Sequence, residues 1–297
     1  MSATQIRFND KHGKFEGLVN GKVVSRASTS EAVAKTLAVK YGMKATVEVS
    51  SHGVMEEVRS EFSVNERFQF IDDFVGLVVK GSATSLVVSG PGGLGKTHTI
   101  MQSMKARGKK ELTVGEFEGD YLVVKGFSTA KYMYRTLFEN NGKTIIFDDC
   151  DSVFKDVIAA NILKGALDSG EERIITWGAE FAESEDLPNR FAFYGRVIFI
   201  SNMAISKLPQ AIVSRALRVD LAMTTDEKVE RIETVMQEES FLPGMSRADK
   251  KEVAKFIRDN AKKFTDLNVR TAVNIAKVRR DMDEDRWERA ALYMAMS

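Results

Sequence analysis

Two short stretches hold the residues that could do chemistry. The first, GPGGLGKTH over 90–98, fits G-x-x-x-x-G-K-[ST] without a mismatch from Gly90 to Thr97. The second, TIIFDDCDS over 144–152, is an apolar run that ends in Asp148, Asp149 and Asp151. Glycines let a backbone curl until its N–H groups point at phosphate oxygens, and a helix that starts where the loop ends adds partial positive charge. Gly90, Pro91, Gly92, Gly93, Leu94 and Gly95 would form that cradle, with His98 just beyond it. Lys96 would reach the β- and γ-phosphates, and the Thr97 hydroxyl would ligate Mg²⁺. Asp148 would hold the same ion from the opposite side, directly or through water. Asp149 would contact the attacking water. The expected ligand is therefore a Mg²⁺-bound nucleoside triphosphate and the expected reaction its hydrolysis. Asp151 and Ser152 are expected to cap the following helix, where an acid suits the N-terminus.

Such residues work only if a strand delivers each of them. SLVVSG leads into the glycine loop and TIIFDD carries the acids, while YLVVKG, RVIFIS and LRVDL (217–221) read as further apolar strands. Helical segments at 97–106, 128–140 and 153–168 intervene. Near-continuous apolar strands alternating with helices predict an α/β fold, a parallel sheet covered on both faces. From about 223 onward the pattern is helical only, over 225–238, 247–262, 267–281 and 284–295. Upstream, NERFQFIDDFVGLVVKG reads as a helix stopped by Gly81. The first 50 residues read as a small α+β unit, with TQIRFND and FEGLVNGKVVSRA as strands, a helix in STSEAVAKTLAVKYG and a returning strand in KATVEVS. The expected domains are 1–52 for recognition or assembly, 53–84 as a helical linker, 85–222 as an ATPase core and 223–297 as a helical lid.

Composition narrows the classes. The chain has 297 residues, 43% hydrophobic and 29% charged, so a substantial core is expected. A net charge of +1 argues neither for nor against nucleic acid. One cysteine, Cys150, excludes an intrachain disulfide, and with three scattered histidines a Cys/His zinc site is not expected. No run reaches the ~18 apolar residues of a membrane span, and the N-terminus lacks the apolar core of a signal peptide. A reducing cytoplasm is the expected compartment.

The glycine loop and the acidic strand, in this order and with later partners, resemble the AAA+ ATPase family over about residues 60–290. The resemblance implies a sensor at the end of RVIFISN, which is Asn202, orienting water between the acids and the γ-phosphate. It implies an arginine finger just before the fifth strand. Arg215 in LPQAIVSRALRVDL matches that place, and Arg218 is the alternative. A finger serves a neighbouring subunit's site, so a homo-oligomer is implied, a hexameric ring or a filament. In LNVRTAVNIAKVRR, Asn268 would cap a helix and Arg270 would be the second sensor, facing nucleotide from the lid. A cation in a first helical turn runs against the helix dipole, which favours a functional reading.

The chain departs from the family in two places. The acidic motif ends Asp-Asp rather than Asp-Glu, which puts the speed of hydrolysis in question. Residues 169–195 are an insertion whose segments ERIITWGAE and RFAFYGRV read as a hairpin, as in DNA-acting and viral helicase-like branches, and the DD … ISN pairing is similar to that of superfamily 3 helicases. FDDCDSVFKD through FYGRVIFISN resembles bacteriophage-encoded AAA+ ATPases, which would place the protein in a host cytoplasm. Three partner classes stay open. DNA is suggested by the hairpin and by the basic run Lys105, Arg107, Lys109 and Lys110. A protein client is suggested by Phe127, Tyr132 and Tyr134 near a pore-loop position, although the tyrosines also suit helix packing. A slowly hydrolysing nucleotide-gated scaffold is the third, with residues 1–52 binding DNA or an adaptor.

Overall fold

The computed structural model describes residues 4–9, 14–19, 22–27, 33, 36, 60–126, 129–168, 170, 172–178 and 186–297. The chain divides into two compact units, Met1–Arg59 and Ser60–Ser297. In the first, β1 (Thr4–Asn9), β2 (Lys14–Val19) and β3 (Lys22–Ala27) form an antiparallel sheet in the order β1-β2-β3. The helix expected in 28–42 falls almost entirely, and the returning strand KATVEVS wholly, outside the described residues.

The second unit opens with α1 (Val64–Lys80). Ser63 and Glu66 form a reciprocal capping box at its start, and Gly81 ends it in a left-handed conformation at φ 83°. Val64, Phe68, Ile71, Val75 and Val78 recur at helical spacing and are buried. The sheet that follows has five strands, all parallel: β4 (Ser85–Ser89), β5 (Tyr121–Lys125), β6 (Thr144–Asp148), β9 (Arg196–Ser201) and β10 (Leu217–Asp220). Their order is β10-β4-β9-β6-β5. This is the expected P-loop NTPase-type α/β core: a parallel sheet flanked by helices. Every residue of β4 and β6 is buried, as strands covered on both faces must be. One face packs Leu86, Val88, Ile146, Ile198 and Ile200 under α1 and α2 (Lys96–Ala106). The other packs Val87, Phe147 and Phe199 against α3 (Ala130–Glu139) and α4 (Val157–Ala166). Alternate residues of one strand thus serve opposite cores.

Between α4 and β9 the insertion forms the expected hairpin, with β7 (Ile174–Thr176) antiparallel to β8 (Arg190–Ala192). It is fastened by Tyr134, whose ring lies 5.5 Å from Trp177 and 5.2 Å from Phe191 and whose hydroxyl donates to the Pro188 carbonyl at 2.5 Å. After the short α5 (Gln210–Val213) and β10 come four helices: α6 (Thr225–Gln237), α7 (Arg247–Asn260), α8 (Val269–Asp281) and α9 (Trp287–Met296). They share a separate core that includes Ile232, Val253, Ile257, Ile275 and Trp287. A buried ion pair joins α1 to α6: Arg67 donates to Glu227 at 2.5 Å and to the Ala222 carbonyl at 2.6 Å.

Candidate functional site

The site lies where β4, β9 and β6 reach their carboxyl ends side by side. That edge is where open parallel sheets place their ligands. β4 delivers the glycine loop, β6 the acids, and β9, lying between them, delivers Asn202.

The loop turns through positive φ at Gly90, Gly93 and Gly95. Gly95 is the N-cap of α2 at φ 95°, a conformation in which a side-chain-bearing residue would be strained. The turn buries Lys96, whose Nζ donates to the carbonyls of Gly90 at 2.6 Å and Pro91 at 2.8 Å and to Asn202 Oδ1 at 2.9 Å. Burial holds the ammonium below its ordinary pKa, while Asp149, Asp148 and Asp151 pull it back up. Thr97 Oγ1 lies 3.0 and 3.2 Å from the two carboxylate oxygens of Asp148. Burial raises the Asp148 carboxyl pKa, the Thr97 hydroxyl lowers it, and neighbouring Asp149 adds to the rise. His98 is exposed in the first turn of α2.

Asp149 stands just past β6 in the left-handed region, φ 56°. Its N–H donates to the Ile200 carbonyl at 3.1 Å, and its Oδ1 accepts from Asn202 Nδ2 at 2.6 Å. Asn202 therefore bridges Lys96 and Asp149 with its two amide atoms. Its own backbone N–H donates to Asp151 Oδ2 at 3.3 Å. This corrects the capping role expected for Asp151 and Ser152. Asp156 caps α4, accepting from Ile158 and Ala159, because a 3₁₀ turn over Asp151–Lys155 intervenes before the helix. Asp151 instead holds the strand end that carries Asn202. Cys150 is buried, and desolvation pushes its thiol up to about 11, as expected of an inert structural residue.

The helices after β10 close on the same loop. Asn268 caps α8 by accepting from Thr271 N–H at 3.0 Å, and Val269 N–H donates to the Gly93 carbonyl at 3.0 Å. A β-carbon on Gly93 would fall 2.6 Å from Asn268 Cγ, so only glycine permits this approach. Arg270 follows Val269 and is exposed. Arg215 is exposed after α5, its guanidinium donating to the Ala211 carbonyl at 2.8 Å, and Arg218 is exposed on β10.

In the basic run Lys105 is exposed and the other three cations are paired. Arg107 is held by Asp72 at 2.7 Å and by Ser103, Lys109 by Asp120 at 3.0 Å, and Lys110 by Glu116 at 3.2 Å. Tyr134 packs on its helix, Tyr132 is exposed, and Phe127 lies outside the described residues. Sequence reasoning missed Arg231 on α6, which lies over the Phe68 ring at 3.8 Å. Its only signal was a long cation among the apolar positions Val229, Ile232 and Val235.

Among the described residues no three His, Cys, Asp or Glu side chains are grouped to hold a metal ion. Mg²⁺ seldom needs such a group, because one or two protein oxygens and the substrate's phosphates usually bind it. The hard oxygens of Thr97 and Asp148, already in contact, fit that requirement. No helix among the described residues is long and apolar enough to cross a membrane.

No family model matches the chain. It is 28% identical over 267 residues to an uncharacterized 36.7 kDa protein of Enterobacteria phage T4, in the nrdC-mobD intergenic region, covering 82% of this chain and 80% of that protein. Solved structures with a similar backbone include a point variant of RuvB from Thermotoga maritima (TM-score 0.43, 17% identity, 74% of this chain). The chain spans 64% of that RuvB, just under two thirds of its length. PCH-2 of C. elegans scores 0.42 at 14% identity, with 79% of this chain and 68% of PCH-2 covered. A DNA replication initiation factor scores 0.37 at 14% identity, with 74% and 64% covered. At these scores they are likenesses in the course of the backbone and nothing more. The sheet order and the loop on β4 define the fold independently of them: a P-loop NTPase-type α/β core followed by a helical bundle.

Proposed function

We propose that the protein is an AAA+ ATPase that binds and hydrolyses Mg-ATP. The observation that carries this reading is the convergence on Asn202. One amide reaches both the lysine of the glycine loop and Asp149, from a strand lying between theirs. In this reading the Gly90–Thr97 backbone and Lys96 bind the β- and γ-phosphates, and Arg270 faces the nucleotide from the 223–297 lid. Thr97 and Asp148 would hold Mg²⁺, which supplies charge neutralisation on the phosphates. Asp149 and Asn202 orient the attacking water, with Asp149 accepting its hydrogen bond. Arg215 acts on the site of a neighbouring copy in a ring or filament, for which its exposure is suited.

The substrate class best supported is DNA, in phage DNA metabolism. The β7–β8 hairpin stands at the expected place before the Asn202 strand, and the similar T4 protein is phage-encoded. The test is ATP turnover with and without single- and double-stranded DNA or an unfolded protein, with Lys96→Ala as control. DNA-stimulated turnover that Lys96→Ala abolishes is the expected result. Stimulation by unfolded protein alone would make the chain a protein remodeller. ATP-dependent assembly with negligible turnover would make it a nucleotide-gated scaffold. Normal ATP affinity in Lys96→Ala would overturn the loop assignment itself.

A further inference from the structure

Three loop glycines each face a different side chain. Sites for β-carbons on Gly92 and Gly93 meet Asn202 and Asn268, and the site on Gly95 meets Arg231 Nη2 at 3.8 Å. Arg231 comes from α6, outside every motif in the chain. Its guanidinium lies 3.8 Å over the centroid of Phe68 on α1. Its Nε is sealed from solvent and, among the described residues, has no hydrogen-bond partner. Burial lowers its pKa, and Glu238 is the one acid that acts to raise it.

A guanidinium is a poor choice for packing alone. Leucine or methionine would cover Phe68 without stranding a donor, and a stranded buried donor is costly. Cation–π stacking fixes the plane of the fork but uses none of its N–H groups. Planar, pre-oriented N–H groups beside a curled glycine backbone match the oxygens of a phosphate chain.

We propose that Arg231 is a nucleotide-contacting residue, held flat by Phe68 beside Gly95 so that its N–H groups donate to phosphate oxygens of the bound nucleotide. The proposal rests on reading Gly90–Thr97 as the nucleotide loop. It gives the lid a second cation on the phosphates, from a different helix than Arg270, and makes the α1–α6 contact part of nucleotide binding.

The test measures dissociation constants for ADP and for inorganic tripolyphosphate, which has no base. The proteins are wild type, Arg231→Ala, Arg231→Lys and Lys96→Ala. Losing hydrogen bonds to a charged group should weaken both ligands about 10- to 100-fold in Arg231→Ala. Arg231→Lys should fall between. The rise in melting temperature caused by ADP, taken against each variant's own ligand-free value, should shrink in step, which separates a binding defect from a folding defect. Unchanged affinity in Arg231→Ala, while Lys96→Ala loses binding, would overturn the role of Arg231 alone. Weaker ADP binding with unchanged tripolyphosphate binding would move Arg231 to the base and overturn the phosphate contact. A folded wild type that takes up neither ligand would overturn the loop reading and the proposal with it.

Discussion

Replacing Glu227 with glutamine removes one charge and almost no volume. Glu227 also closes the capping box of α6, accepting from Thr224 N–H at 2.9 Å, and glutamine retains a carbonyl oxygen for that bond. That oxygen is glutamine's only one, so the change removes both the charge and the acceptor opposite Arg67. The side chains of the pair are 5% and 4% exposed, and among the described residues Arg67 Nε already lacks a partner. Without the carboxylate, the guanidinium keeps the Ala222 carbonyl and faces an amide NH₂ that cannot accept from it. Breaking a buried pair on one side costs about 3–5 kcal/mol. For a unit the size of Ser60–Ser297, 1 kcal/mol corresponds to about 2–4 °C, so melting should fall by roughly 6–20 °C. Urea unfolding followed through Trp177 and Trp287 fluorescence gives the free energy. Arg67→Met combined with Glu227→Gln should recover a large part of the loss, since it leaves no orphaned charge. A Glu227→Gln protein within about 1 kcal/mol of wild type, on the scale of an exposed pair, would refute the reasoning.

Asp149→Asn should bind ATP as wild type does and lose turnover; unchanged turnover would assign the water-orienting role elsewhere. Arg215→Ala should leave binding intact and slow hydrolysis by about 10³-fold. Mixing it with Lys96→Ala subunits should restore part of that activity, whereas no rescue would mean that the residue acts within its own chain. Gly93→Ala should loosen α8 from the loop, because the added carbon meets Asn268. Its expected signature is weaker ADP binding in equilibrium titration, with the α/β core still folded by circular dichroism. Cys150, buried with its thiol pushed up to about 11, should resist iodoacetamide at pH 8 in the native protein and react once urea unfolds it.

Much of this is legible in the sequence because it is local. The apolar run of β4, the glycine loop and the start of α2 are adjacent in the chain, and each constrains the next. Gly81 announces the end of α1 by turn chemistry that needs no tertiary contact. Asp151 misleads for the same reason. As a sequence position, an acid after a strand is a cap, and only the 3₁₀ turn and the neighbouring strand give it Asn202 as a partner. The pairing within the basic run 105–110 is equally hidden, because Asp72 and Asp120 lie 35 and 11 positions from the Arg107 and Lys109 that they hold. Arg231 has only a weak local signature, a long cation among apolar helix positions. Its meaning comes from Phe68, on a helix at the other end of the unit.

The left-handed backbone at Asp149 limits what can stand there. That region admits glycine freely and aspartate or asparagine at modest cost, since a short polar side chain can bond locally, while longer side chains pay more. Glutamate, usual in the AAA+ family that the sequence resembles, lacks the short polar side chain that eases this conformation, whereas Asp149 Oδ1 reaches Asn202 at 2.6 Å from it. The shorter acid therefore suits the bend rather than being a worn-down version of the motif. Replacing Asp149 with asparagine or glycine should therefore leave the strand's exit intact.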